Sequence, residues 1–468
     1  MSRLFELRLG RLIGVVLILA SVAAYRSENA SVLGLWSKST AAGLVGLAGL
    51  ALLFCVASWR RRGRPSDGAG PGTLFDAACL LVGVAYAWSA VDDPRQMLRL
   101  NDLNLFGSYA PIPAGLEWLA MALVLAAGAV WAIRLKGPWM GPAVAMLSVA
   151  AGLLLGEGIA RAWTLSAPAP RGWGLFSTDA WRRSYAHLNS LGFRDAEHAV
   201  ERSGKARRLL VVGDSFAFGW GVSDPRERFG EQLASLLADR TGEPWESLNA
   251  SNPGAHTLRH IEYLEQMTPY HPDAVVLLYV FNDIDYLEDR LPKATREKLF
   301  QPGRLHPVSI LFHNSYLFQE AYIRWRSLSY SGDPNTPVAS FGNLGEGYPY
   351  SHDDLLDEHM RDLAHFVEVA EEAGAVAAIV PMDLDVSLGG PHMARYRRFV
   401  QRAREHGLPV WDLSAALADT HRQEFVLNRF DAHPNAQAYR LAARSVIDRL
   451  AGKWRRAMSA KSVQASAL

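Results

Sequence analysis

Cysteine is almost missing from this chain: Cys55 and Cys79 are the two thiols in 468 residues. That excludes a disulfide framework. Both fall within long apolar runs and read as small apolar helix residues. The thiol-free stretch after them suits an oxidising compartment without needing crosslinks. An excess of one charge is missing too. The 48 Lys and Arg meet 47 Asp and Glu, a net charge of +1, so no electrostatic argument points to a nucleic acid partner. Internal repeats, coiled-coil heptads and low-complexity tracts are absent. The length predicts two or three domains.

What the chain does have is unevenly spread. Residues 1–160 hold five apolar stretches, Leu12–Tyr25, Ala41–Trp59, Leu74–Val91, Ile112–Ile133 and Trp139–Ala160. The last four approach the roughly 20 residues that cross a bilayer as helix. The first is shorter and follows Arg3, Arg8 and Arg11, so a signal peptide competes with a retained helix. Arg60, Arg61, Arg62 and Arg64 separate the second and third stretches, and Arg134 and Lys136 the fourth and fifth. The positive-inside rule puts these clusters in the cytoplasm and everything after Ala160 on the far side, whichever way the first stretch is read. The expectation is a multi-pass inner-membrane protein with the bilayer as partner and its second half in the periplasm or exterior. Glu117 and Glu157, near span ends, read as interfacial.

Residues 161–206 form a polar connector in which Pro168 and Pro170 stop any helix. From residue 207 strand-like runs alternate with amphipathic ones. The strands are Leu209–Val212, Trp245–Leu248, Ala274–Val280, Ala375–Val380 and Pro409–Leu413. The helices are Arg226–Arg240, Leu258–Met267, Leu355–Glu372, Met393–His406 and Ala436–Leu450. Such alternation predicts a parallel sheet covered by helices on both faces, across a domain of residues 207–453. An insertion at 286–350, rich in aromatics, Pro and Gly, breaks the rhythm with one predicted helix near Ser315–Leu328. It reads equally as a substrate wall or as a surface excursion. Residues 454–468 read as a flexible tail.

Four short blocks carry the chemistry. The first, Gly213-Asp214-Ser215 with Gly219, ends an apolar run, so that a serine stands at a strand edge and at the start of a helix. Helix N-terminal N–H groups there can receive an oxyanion. The second block, Asn249-Ala250-Ser251-Asn252-Pro253-Gly254, is a loop after a strand. The third, Tyr279-Val280-Phe281-Asn282-Asp283, closes the most apolar strand, and the fourth, Phe430-Asp431-Ala432-His433-Pro434-Asn435, precedes the last helix. Acyl transfer needs each type. A serine attacks only after a base takes its proton, which His433 does at neutral pH if Asp431 holds its other nitrogen. The Ser215 and Gly254 N–H groups and the Asn282 amide supply three donors to the developing oxyanion.

These blocks, in this order, resemble the SGNH (GDSL-type) hydrolases. The resemblance covers residues 189–450 and begins with Asn189-Ser190-Leu191-Gly192-Phe193-Arg194-Asp195, which is similar to the lead-in of many bacterial, membrane-attached members. It implies that Ser215 is the nucleophile, that Gly254 and Asn282 serve the oxyanion and that His433 is the base. It also implies a flavodoxin-like three-layer α/β fold and hydrolysis, or sometimes transfer, of an ester-linked acyl group. Two departures stand out. Val280 replaces the usual glycine of Gly-x-Asn-Asp, and Asp431 precedes His433 by two residues where Asp-x-x-His is common.

Blander roles fit several other residues. Asp214 and Asp283 read as acceptors tying loops together. His352-Asp353-Asp354 with His359 read as helix capping and a solvated helix face, with no metal or other cofactor expected. Arg395, Arg397, Arg398, Arg402 and Arg404 read as a solvated face. Phe216, Phe218 and Trp220 fit an acyl pocket and core packing equally. The function expected is a membrane-anchored serine esterase acting on an ester-bearing surface glycan or lipid, an O-acetyl group foremost. The alternatives are an O-acyltransferase using the same triad, and a non-catalytic glycan-binding or assembly subunit.

Overall fold

The computed structural model describes residues 31–32, 36–37, 78, 81, 119, 122–129, 138, 140–166, 176–202, 204–291, 315–329, 349–428 and 431–466. The chain divides into two compact units, Met1–Thr164 with Arg304–Tyr330, and Leu165–Gly303 with Ser331–Leu468.

In the first unit, α1 (Met140–Leu165) is a 26-residue helix that takes up the fifth apolar stretch and continues past it. Among the described residues it is the one helix long and apolar enough to cross a membrane. The other four expected spans lie outside the described residues, apart from short fragments of the third and fourth. The same unit contains helix α6 (Tyr316–Ser329), the helix expected within the insertion.

The second unit opens with α2 (Phe176–Tyr185), a helix inside the expected connector. Its centre is a four-stranded parallel sheet in the order β2-β1-β3-β4, made of β1 (Arg207–Gly213), β2 (Trp245–Ser251), β3 (Ala274–Tyr279) and β4 (Val376–Pro381). Strands covered on both faces need continuous apolar runs. Leu209–Val212 and Ala274–Tyr279 supply them and are fully buried. The helices alternate with these strands as α4 (Phe229–Thr241), α5 (Thr257–Met267), α7 (Asp353–Glu372), α8 (Gly390–Glu405) and, after the short α9 (Ser414–Ala418) and α10 (Arg422–Phe425), α11 (Ala436–Ser466). This order is the flavodoxin-like one.

Two expectations change. The fifth strand, expected at Pro409–Leu413, shrinks to one parallel bridge between Val410 and Ile379. Pro409 has no N–H to extend a ladder, and the Leu413 N–H is taken by the Tyr396 hydroxyl at 2.8 Å. The tail expected from residue 454 is instead a continuation of α11 through Ser466. Trp454 extends the apolar stripe of Leu450 and Ala451 by a further turn, is buried, and meets the Trp245 ring edge-on at 5.3 Å.

Candidate active site

The site is assembled from strand ends. At the C-terminal end of β1, Gly213 lies so close to β3 that an added Cβ would stand 2.8 Å from both the Leu278 carbonyl oxygen and the Ala217 methyl. The chain then turns into α3 (Ser215–Phe218), a single helical turn capped by Asp214, whose Oδ1 accepts the Phe216 N–H at 2.8 Å. Gly219, at φ 71°, ends the turn in the left-handed region, which suits glycine. Ser215 thus starts a helix at a strand edge, as its sequence predicts.

The neighbouring strands deliver the next two blocks to the same edge. Gly213 pairs in register with Ser251 of β2 and with Leu278 of β3. Gly254 follows Ser251 by three residues, in a turn where its φ is +75°. Asn282 follows Leu278 by four, and its Nδ2 donates to Asp214 Oδ2 at 3.3 Å. The Ser215 hydroxyl donates to that same oxygen at 3.1 Å. Asp214 therefore joins the serine and asparagine blocks directly. Burial pushes its carboxyl above the usual range, against the opposing pull of the Phe216 N–H, the nearby His433 and the Asn282 amide. Asp283 accepts the Val280 N–H at 3.0 Å, closing the turn that presents Asn282. Burial, and then the charge of Asp214, push its carboxyl well up. Both aspartates are loop-tying acceptors.

The fourth block forms β6 (Asp431–Pro434), paired antiparallel with β5 (Val426–Asn428) and in contact with α3. Asp431 Oδ1 lies 2.5 Å from His433 Nδ1 and also accepts the His433 backbone N–H at 3.1 Å. An i, i+2 pair in extended chain shares a face, so the shortened spacing brings carboxylate and imidazole together. Phe216 and Trp220 pack against the imidazole, each with ring centroids 5.6 Å away. Ser215 is 3% exposed and His433 0%. A small depression is lined by their chain neighbours Phe216 and Ala432, with Val280, Phe281 and the loop Met382–Asp385.

Sequence reasoning missed what holds the Ser215 turn from behind. A one-turn helix leaves its last carbonyls without helical partners, and here buried side chains take them. The Tyr439 hydroxyl donates to Phe216 O at 2.8 Å, and Asn249 Nδ2 to Ala217 O at 2.7 Å. Arg194 donates from Nη1 to Phe218 O at 3.1 Å and Gly219 O at 2.7 Å, from Nη2 to Val222 O at 2.7 Å, and from Nε to Tyr185 O at 3.0 Å. Its guanidinium stacks over Trp181 and Phe218, 5.0 and 5.6 Å from the ring centroids. Burial, with Arg228 nearby, lowers its pKa to about 10. The lead-in motif thus supplies a clamp, and its last residue, Asp195, accepts the Asn249 N–H at 2.7 Å.

Two solvated-face expectations are corrected. His359 is fully buried, with Nε2 2.9 Å from the Tyr279 hydroxyl and Nδ1 3.2 Å from that of Tyr286. Burial holds its pKa at about 3. His352 does occupy the N-cap of α7, without a side-chain capping bond. Arg395 is buried as well, donating to Asp383 at 2.8 Å and lying 4.7 Å from the Phe281 ring centroid. Arg398 and Arg402 keep to the outer face, paired with Asp353 and Asp357. Of the three aromatics, Phe218 and Trp220 form a small cluster with Trp181.

With the strand-edge serine, the His–Asp pair and the asparagine in place, the class is that of an α/β acyl hydrolase. Residues 211–441 match the model of the GDSL-like Lipase/Acylhydrolase family. That stretch is a hydrolase domain of this SGNH family, and the protein is a carboxylic ester hydrolase. No curated protein sequence matches it. Among solved structures it is similar to a lipase/acylhydrolase from Enterococcus faecalis, at 17% identity over 53% of this chain and 96% of that one, with a TM-score of 0.30. A lipase from a goat rumen metagenome shares 11% identity over 53% and 98%, with a TM-score of 0.33. An acetyl xylan esterase from Geobacillus stearothermophilus shares 14% over 53% and 95%, with a TM-score of 0.31.

Proposed function

We propose that this chain is a membrane-anchored serine esterase whose hydrolase domain faces the periplasm or exterior. It would remove a small acyl group, an O-acetyl foremost, from a surface glycan or lipid. The observation that carries the reading is the His433–Asp431 pair at 2.5 Å, borne on a strand that touches the helical turn begun by Ser215. The near-complete enclosure of Ser215 and His433 favours a short acyl group.

In this mechanism the Ser215 hydroxyl turns from Asp214 to His433, and Oγ attacks the ester carbonyl as Nε2 takes its proton. Asp431 keeps Nδ1–H bound and stabilises the imidazolium. The carbonyl oxygen becomes an oxyanion facing the Ser215 N–H, the Gly254 N–H and Asn282 Nδ2. His433 returns the proton to the leaving alcohol oxygen, and the acyl group stays on Ser215. Water then attacks the acyl carbon and gives its proton to His433. Collapse of this second intermediate frees the acid, and Oγ recovers the proton.

The test is p-nitrophenyl acetate turnover by the full chain in detergent, beside Ser215→Ala. We expect nitrophenolate and free acetate in equal amounts from the wild type and loss of at least about 10³-fold in the variant. Nitrophenolate released only when a sugar acceptor is added, with the acetyl group found on that acceptor, would reassign the site to acyl transfer. Turnover unchanged in Ser215→Ala would remove Ser215 from the mechanism.

A further inference from the structure

The apolar helix α1 carries two charges, Glu157 and Arg161. They stand four residues apart, on one face, and both are buried, at 5% and 6% exposure. What covers them is the insertion helix α6. Glu157 accepts the Ser315 hydroxyl at 2.7 Å, the Tyr316 N–H at 2.7 Å and the Leu317 N–H at 3.1 Å. Its carboxylate therefore meets the N-terminal N–H groups of α6, where the helix dipole favours negative charge. Arg161 lies 5.5 Å from the Tyr316 ring centroid. Thr164 donates to Glu320 at 3.2 Å, one turn further along. Gly156 permits the approach, since a Cβ there would stand 3.1 Å from Leu317 Cδ2. Ionisable side chains on a spanning helix are costly unless they are partnered, and α6 supplies the partners. Glu157, expected near a span end, is thus a docking contact for α6.

The outer surface of this helix pair is apolar and aromatic. Met146, Val149, Leu155 and Ile159 of α1 are more than half exposed, and so are Trp163 of α1 and Trp325 of α6. Tryptophan with a nearby basic residue, here Arg324, is the composition of a membrane–water boundary. We propose that α6 lies in the headgroup region of the bilayer, docked on the outer end of α1, with Trp325 seated among phospholipids. The insertion is then a second attachment of the hydrolase sequence to the membrane. The inference rests on reading α1 as a membrane span.

The experiment uses the full chain with Cys55→Ser and Cys79→Ser, reconstituted in phosphatidylcholine–phosphatidylglycerol vesicles. A fluorophore on Trp325→Cys is compared with one on Leu188→Cys, an exposed position of the second unit. Lipids bearing a headgroup nitroxide serve as quencher. We expect quenching at 325 to exceed that at 188 by at least about twofold, as for a helix seated in the interface. Glu157→Ala should abolish the excess, while Glu157→Gln, which keeps the acceptor oxygen, should retain part of it. Equal quenching at both positions in a chain that resists alkaline extraction would overturn the inference and leave α1 as a span. So would energy transfer between 325 labels of two copies without lipid quenching. Extraction by alkali would remove the span reading, and the inference with it.

Discussion

Asp214 is the residue on which three parts of the site converge: it caps the nucleophile turn, takes the Ser215 hydroxyl and holds the Asn282 amide. The hydroxyl and amide bonds share one oxygen, so Ser215 and the Asn282 amide are held relative to each other. Asp431 serves His433 through both the ring and the backbone N–H. Asp431→Asn should cost about 10²–10⁴ in kcat, the range expected when a triad histidine loses the acceptor that fixes its tautomer. Arg194 acts further back. Arg194→Met removes four hydrogen bonds to backbone carbonyls, and displacement of the nucleophile turn by a fraction of an ångström should lower kcat by up to about 10²-fold. KM should stay near the wild-type value, because Arg194 contacts the turn from behind. Steady-state kinetics with p-nitrophenyl acetate check both. A folded Arg194→Met variant with kcat within a factor of two of wild type would reduce the clamp to packing.

At the scale of elements, much of the hydrolase was legible. β1 and β3 are continuous apolar runs because both their faces are covered, and that pattern is readable without a structure. The first three blocks were legible as neighbours because each closes or follows a strand of one parallel sheet, whereas the fourth forms a short strand of its own. Long-range partners were not legible. Arg395 looked like one of five solvated arginines, yet Tyr396 and Phe399 turn its side of α8 inward, and the Asp383 that neutralises it comes from the loop after β4. Arg194 reads as a motif letter until Phe218, Gly219 and Val222 present their carbonyls. His359 was placed on a solvated face because its acidic neighbours dominate α7, while Tyr279 and Tyr286, from β3 and the segment after it, bury it. That burial has a measurable sign. The folded histidine stays neutral down to about pH 3, whereas the unfolded one takes up a proton near pH 6.5. Its contribution to stability is therefore complete above pH 6.5 and is lost as pH falls toward 3, at about 1.4 kcal/mol per pH unit. Asp283, whose carboxyl is raised, acts in the opposite direction but is common to wild type and variant. Thermal unfolding of the full chain in detergent between pH 7.5 and 4.5 should show a shallower acid decline for His359→Phe than for wild type. Parallel curves would contradict the assignment.

At the scale of the whole molecule, a helix able to span a membrane precedes a flavodoxin-like hydrolase in the chain, and the hydrolase sequence returns to that helix's unit through residues 304–330. This arrangement suits an enzyme whose substrate is attached to, or carried past, a membrane surface, in keeping with the function proposed. The catalytic claim underneath stands on one atom. The most direct measurement treats the full chain in detergent with a fluorophosphonate and maps the adduct by peptide mass spectrometry, in wild type and His433→Ala. The account predicts a stoichiometric adduct on Ser215 in the wild type, and labelling slowed by at least about 10²-fold in the variant. A folded wild-type chain that stays unlabelled, or an adduct on another residue, would contradict it.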